Sequence, residues 1–144
     1  VSQQYTTDVG GGSIMAASIR ISEEQSSTGL KVAIRIINAW RATPRQACKI
    51  LRISPSTYRR ISRGMNAGSR LDLDQQQRIG IVLSIHASMR TVFTNQANVQ
   101  GFPGLKNNNS FFEGQSPLEV MAQGSFISLY ETYKRIKQLQ FGHT

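Results

Sequence analysis

The segment from Thr43 to Arg63 contains two helix starts in quick succession, and that spacing leaves few folds open. Thr43-Pro44 and Ser54-Pro55 each offer a side-chain oxygen at the N-cap. The proline that follows occupies the first helical position, where its missing N–H has no partner to lose. Ala47, Ile50 and Leu51 recur at the spacing of one helical face. Ile53 is the apolar plug between the helices, Tyr58 and Ile61 face back, and Cys48 is small enough for a close crossing. The outward residues of the second helix are then Ser56, Thr57, Arg59, Arg60 and Arg63. This pattern predicts a helix-turn-helix whose second helix is basic.

Charge supports a polyanionic partner. The chain carries a formal +9, but the excess is local. No acid occurs from Gln25 to Leu71, a window holding Lys31, Arg35, Arg41, Arg45, Lys49, Arg52, Arg59, Arg60, Arg63 and Arg70. From Leu71 onward, bases and acids nearly balance. Such a field suits duplex DNA, and the candidate DNA contacts are Arg45, Arg52, Ser54, Ser56, Thr57, Arg59, Arg60 and Arg63. The single cysteine excludes an internal disulfide and a cysteine-based metal site. His86 and His143 lie far apart with no acidic cluster, so neither a metal nor a cofactor is expected. No run approaches the length of a membrane helix, and a bacterial cytoplasmic protein is the expectation.

The chain reads as all-α. Residues 1–24 form a tail with the linker composition Gly10-Gly11-Gly12-Ser13. Either Met15 is the natural start, with 1–14 added, or the extension is native. Residues 25–68 form the helix-turn-helix domain. Its first helix, 26–40, is capped by Ser27 or Thr28, buries Leu30, Ala33, Ile34 and Ile37, and ends at the core anchor Trp40. Gly64 closes the recognition helix. Residues 69–144 form a second helical unit. A long helix capped by Asp72 or Asp74 runs to about Thr94. Its apolar face is wide enough to need cover on more than one side, within the chain or at a dimer contact. Gly80 inside it marks a close helix contact. Residues 95–115, rich in Asn, Gly and Pro, read as a long loop. Ser116-Pro117 with Glu119 is a capping box. A last helix from Ser125 carries Phe126, Leu129, Tyr130, Tyr133, Ile136 and Leu139 on one side, with the tyrosines semi-buried. No nucleophile elbow, phosphate-binding glycine loop, carboxylate pair or metal triad is present, so the protein is not expected to be an enzyme.

The second half carries a resemblance. Leu73-Asp-Gln-Gln-Gln-Arg78-Ile79, followed by Ile85 and Phe93, is similar to the start of the toxin-binding domain of Xre/MbcA/ParS-type antitoxins. The run from Asn107 through Phe112-Glu-Gly114-Gln-Ser116-Pro117-Leu118-Glu119-Val-Met121 resembles that family's second signature, and the final helix ending Leu139-Gln-Phe-Gly142 resembles its close. The likeness spans about Leu30 to Gly142. Phe102 stands nearest the place of a usual Trp, and Lys106 replaces a common proline. Gly142-His143-Thr144 replaces a frequent Gly-Gly ending, and Arg52 sits where a turn glycine is common. The resemblance implies an antitoxin of a two-gene module. Its partners would be a RES-domain toxin that attacks NAD or transfers ADP-ribose, and its own operator DNA, which it would bind as a homodimeric repressor. Toxin contact is then expected at Gln115, Ser116, Glu119, Lys134, Lys137 and the tail Gln140, Phe141, Gly142, His143 and Thr144. The alternative reading is a dimeric helix-turn-helix regulator whose second half has no toxin to bind.

Overall fold

A computed structural model describes residues 23–139 except Asn108 and Ser110. The described chain is all-helical: α1 (Glu23–Ala39), α2 (Pro44–Leu51), α3 (Pro55–Ser62), α4 (Leu73–Val92), α5 (Gln96–Gly101), a 3-10 turn (Phe102–Gly104), α6 (Pro117–Met121) and α7 (Phe126–Leu139). Of the tail expected over 1–24, residues 1–22 lie outside the described residues, and Glu23 and Glu24 belong to α1.

Local chemistry sets the helix starts. Thr43 Oγ1 accepts the Gln46 N–H while Gln46 Oε1 accepts the Thr43 N–H, a reciprocal cap on α2. Asp72 and Gln75 do the same for α4, so Asp72 is the cap and Asp74 falls in the first turn. Ser116 and Glu119 repeat the device on α6. Neither Ser27 nor Thr28 caps α1, which starts earlier, at Glu23. Ser27 is instead buried, and its Oγ accepts the Ala67 N–H at 2.9 Å, fastening the 64–70 hinge to α1. α3 ends at Arg63, after which Gly64 takes φ +82 and a paired closure forms. The Met65 N–H donates to the Arg60 carbonyl and the Gly64 N–H to the Ile61 carbonyl.

The core joins both halves. Leu30, Ala33, Ile37, Trp40, Ala47, Ile50, Leu51, Ile53 and Ile61 from the first half pack with Ile79, Val82, Ile85, Met89, Met121, Leu129 and Ile136 from the second. α4 lies between α1 on one side and α7 on the other. The centre of its wide apolar face, Ile79, Val82, Ile85 and Met89, is therefore covered within one chain, while Leu83, Val92 and Phe93 stay half-buried. Gly80 marks no close contact: a Cβ there would meet nothing within 4 Å. The close approach is at Gly29 on α1, whose Cβ would come 3.5 Å from Ile79 Cγ2.

Two further expectations are corrected. Residues 95–115 are not an open loop. Asn95 Oδ1 accepts the Ala97 N–H to start α5, and Val99, Pro103 and Phe112 are buried. Phe102 contacts Phe93 at a ring separation of 5.3 Å. Polar residues capped that short helix while a few apolar ones anchored it, a combination that composition alone reads as loop. On α7 the buried stripe is Leu129, Thr132 and Ile136. Tyr133 is partly buried, but Tyr130 is 42% exposed rather than semi-buried.

Candidate nucleic-acid interface

Three side chains of α3 and its C-cap fall on one face at about 100° per residue: Ser56, Arg59, Arg60 and Arg63. Ile61 is buried on the opposite side, and Tyr58 donates its hydroxyl to Asn38 Oδ1 on α1 at 3.1 Å. Those contacts fix the rotation of the helix and so decide what it presents. Ser54 and Thr57 hold the start of the helix. Ser54 Oγ accepts the Thr57 N–H and donates to Thr57 Oγ1. Arg60 bends back to the hinge, where its Nε donates to the Asn66 carbonyl at 3.0 Å. Ser56, Arg59 and Arg63 are exposed, and Arg45 is exposed on α2. Among the described residues none of these three arginines enters an ion pair.

Between α2 and α3 lies an open depression of about 690 Å³, with Arg45, Lys49 and Arg59 around Cys48, Ile53, Pro55 and Tyr58. Burial pushes the Cys48 thiol up, against a smaller opposing pull from Arg59. The thiol is therefore kept protonated, and its role is to fill space where the two helices cross.

Arg52, expected as a DNA contact, also has a structural role. It takes the left-handed φ of +55 that closes α2, at the place where a turn glycine is common. Its guanidinium pairs with Asp72 and with Asp74 at the start of α4, and its carbonyl accepts from Gln75 Nε2 at 2.9 Å. Two carboxylates occupy its charge. The same hydrogen bond from Arg52, and then the Gln75 N–H, hold the Asp72 carboxyl below its ordinary value.

Beneath this pair lies Arg78, which sequence reading noticed only as part of a motif. It is 5% exposed. Its Nε donates to Asp74 Oδ2 at 3.0 Å, and its Nη1 to the Gly124 carbonyl at 2.9 Å, with longer contacts to the carbonyls of Ile50 and Lys49. One guanidinium thus caps the C-terminal carbonyls of α2 and holds the turn between α6 and α7. The only sequence signal for it was an arginine on the otherwise apolar side of a helix.

The residues expected to meet a protein partner are spread out. Ser116 is 3% exposed, and its side chain caps α6. Glu119 is exposed, 3.5 Å from Lys106. Its carboxyl is held low first by the hydrogen bond at Ser116 and then by Lys106. Gln115 is exposed beside it. Ser116 and Glu119 border a cleft of about 690 Å³ shared with Trp40, Arg41, Gln46 and Gly104. Lys134 and Lys137 are exposed on α7 and do not line that cleft. Gln140, Phe141, Gly142, His143 and Thr144 lie outside the described residues. Among the described residues, no group of His, Cys, Asp or Glu is placed to hold a metal. Among the described residues, no helix is long and apolar enough to cross a membrane.

A basic recognition helix held by a capped partner helix defines a helix-turn-helix protein of the DNA-binding class. Residues 19–83 match the antitoxin Xre-like helix-turn-helix domain. The chain is also similar to uncharacterized protein y4oB of Sinorhizobium fredii (strain NBRC 101917 / NGR234): 31% identical over 127 residues, 87% of this chain and 90% of that protein. No solved structure matches. The chain belongs to the Xre-type antitoxin family.

Proposed function

We propose that the protein neutralises a RES-domain toxin through residues 69–144 and represses its own operon through the helix-turn-helix of residues 25–68. The observation that carries this reading is the partition of charge over the fold. Arg45, Arg59 and Arg63 stand exposed without carboxylate partners, while the second half pairs its ions locally, as Lys106 does with Glu119 and Lys134 with Glu131. DNA suits the first surface and a protein the second. Operator binding as a homodimer belongs to the proposal, because one recognition helix spans only a half-site. The α4 face is covered at its centre by α1 and α7, and the half-buried Leu83 and Val92 at its edge are the part of it left for the dimer contact. The tail from Gln140 to Thr144 enters the toxin's NAD pocket, and the toxin, not this chain, holds the catalytic residues.

The test uses the full chain, because removing the helix-turn-helix would strip α1 from α4. Co-expression with a RES-domain toxin, should one be encoded beside its gene, is expected to restore growth and cellular NAD. A variant lacking 140–144 is expected to fail at this while still binding promoter DNA. Full protection by the shortened chain would rule out the pocket-entry mechanism. For the DNA arm, Arg59→Ala is expected to lower the log–log salt slope of duplex binding by about 0.9, the share of one phosphate contact. Duplex binding indifferent to salt would refute the assignment of the α3 face.

A further inference from the structure

One flank of α2 and one flank of α3 border the same depression of about 690 Å³, and both repeat the spacing of a helical stripe. α2 contributes Arg45, Cys48 and Lys49, and α3 contributes Pro55, Tyr58 and Arg59, in each case positions i, i+3 and i+4. Ile53, from the turn that joins the helices, completes the lining. The Tyr58 hydroxyl is taken by Asn38 Oδ1 at 3.1 Å, which leaves the ring for the depression. The lining is thus of two kinds. Cys48, Ile53, Pro55 and Tyr58 are apolar, and Arg45, Lys49 and Arg59 are cations. All three cations are exposed, no carboxylate lines the depression, and among the described residues none of the three enters an ion pair.

This is more than a surface for phosphate. Phosphate oxygens take charge and donors from the three cations, and they gain nothing from four apolar side chains among them. The major groove of duplex DNA offers one apolar feature on its bases, the C5-methyl group of thymine. A nucleic-acid strand carries an anion at every nucleotide, so it meets several unpaired cations and an apolar lining at once. Arg59 joins the two surfaces: it stands on the outward face of α3 and also borders the depression. A strand held by Arg45, Lys49 and Arg59 therefore passes a base edge across Cys48 and Pro55.

We propose that the depression between α2 and α3 receives a thymine methyl group, while Arg45, Lys49 and Arg59 hold phosphates of the same strand. Cys48 and Pro55 then set the base preference at one position of each half-site, and Lys49 joins the phosphate contacts. The assignment rests on the DNA-binding reading above and adds a base preference that the exposed arginines do not supply. The probe is the duplex upstream of the gene, with each thymidine replaced singly by deoxyuridine, which lacks only the methyl group. Binding of the full-length chain is measured by fluorescence anisotropy. One position in each half-site is expected to lose affinity about fourfold, the effect of leaving one methyl-sized group unburied. Cys48→Ser, which places a hydroxyl in the apolar lining, is expected to shrink that ratio, and Cys48→Ala to keep it. Lys49→Gln is expected to lower the log–log salt slope by about 0.9 and leave the ratio unchanged. Circular dichroism checks that each variant keeps its helices. Equal affinity for every deoxyuridine duplex would overturn the methyl assignment and leave salt-dependent DNA binding standing. A ratio that Cys48→Ser leaves intact would place the methyl elsewhere and overturn it too. No duplex binding by the wild type would remove both readings. Dispersal of a homodimer by Cys48→Ser, or its loss of binding to a RES-domain toxin, would seat a protein in the depression, and either result overturns the proposal.

Discussion

Replacing Arg78 by Met keeps most of the stem in place and removes the guanidinium from a site only 5% exposed. The bonds lost are unequal. Those to Asp74 Oδ2 at 3.0 Å and the Gly124 carbonyl at 2.9 Å are well formed, while those to the Ile50 and Lys49 carbonyls are long, at 3.3 and 3.4 Å. Hydrogen bonds to a charged group contribute about 1.5–3 kcal/mol each. Asp74 retains Arg52 and is 38% exposed, so it is not stranded as an uncompensated charge. The Gly124 carbonyl and the carbonyls at the α2 C-terminus lose their donor. The expected loss is about 2–4 kcal/mol. For a chain of this size, that corresponds to a fall in melting temperature of roughly 10 °C. Calorimetry and urea unfolding with an unchanged m-value measure it. Arg78→Lys is expected to lose nearly as much, because an ammonium lacks the planar fork that reaches two acceptors in different directions. A Met variant within about 0.5 kcal/mol of wild type would refute the claim that Arg78 ties α2 to the α6–α7 turn.

Gly80→Ala is expected to stabilise the protein by about 0.5–1 kcal/mol, since the added Cβ meets nothing within 4 Å. Urea melts measure the gain, and destabilisation would show that α4 needs a close partner at that point. Arg52→Gly relieves a left-handed residue at φ +55 but removes two half-exposed ion pairs. Its stability relative to wild type is expected to rise with added salt, because salt weakens only what the variant has lost. Asp72 has a folded pKa below its ordinary 3.8, through Arg52 first and the Gln75 N–H second. Its contribution is therefore present above that value and lost as pH falls below it through the folded value. Asp72→Asn is expected to flatten the acid limb of a stability–pH curve in that window, by a small amount because the pair is exposed.

The helix-turn-helix was legible because its signals are local. Thr43-Pro44 and Ser54-Pro55 fix helix starts within a few residues of chain, and Ala47, Ile50, Leu51 and Ile61 are buried as their spacing predicts. The second half was less legible. Residues 96–101 form a helix held by one Asn cap and by Val99, and a sequence window rich in Asn and Gly hides both. The candidate site split in the same way. Ser56, Arg59 and Arg63 stand outward as expected. Arg52 and Arg60 looked equivalent to them in sequence, yet the structure turns one to Asp72 and Asp74 and the other to the Asn66 carbonyl.

By itself the sequence determined an all-helical chain, the position of the recognition helix and an acid-free basic window, because caps, periodicity and charge act over one or two turns. Tertiary structure alone decided which arginines remain available to a ligand, how the broad face of α4 is covered, and that Arg78 is buried. Apart from the local turn of Arg60 to Asn66, those outcomes depend on contacts between residues 20 to 46 positions apart. Only the packed chain brings a carbonyl or a carboxylate from that distance to the guanidinium that it holds.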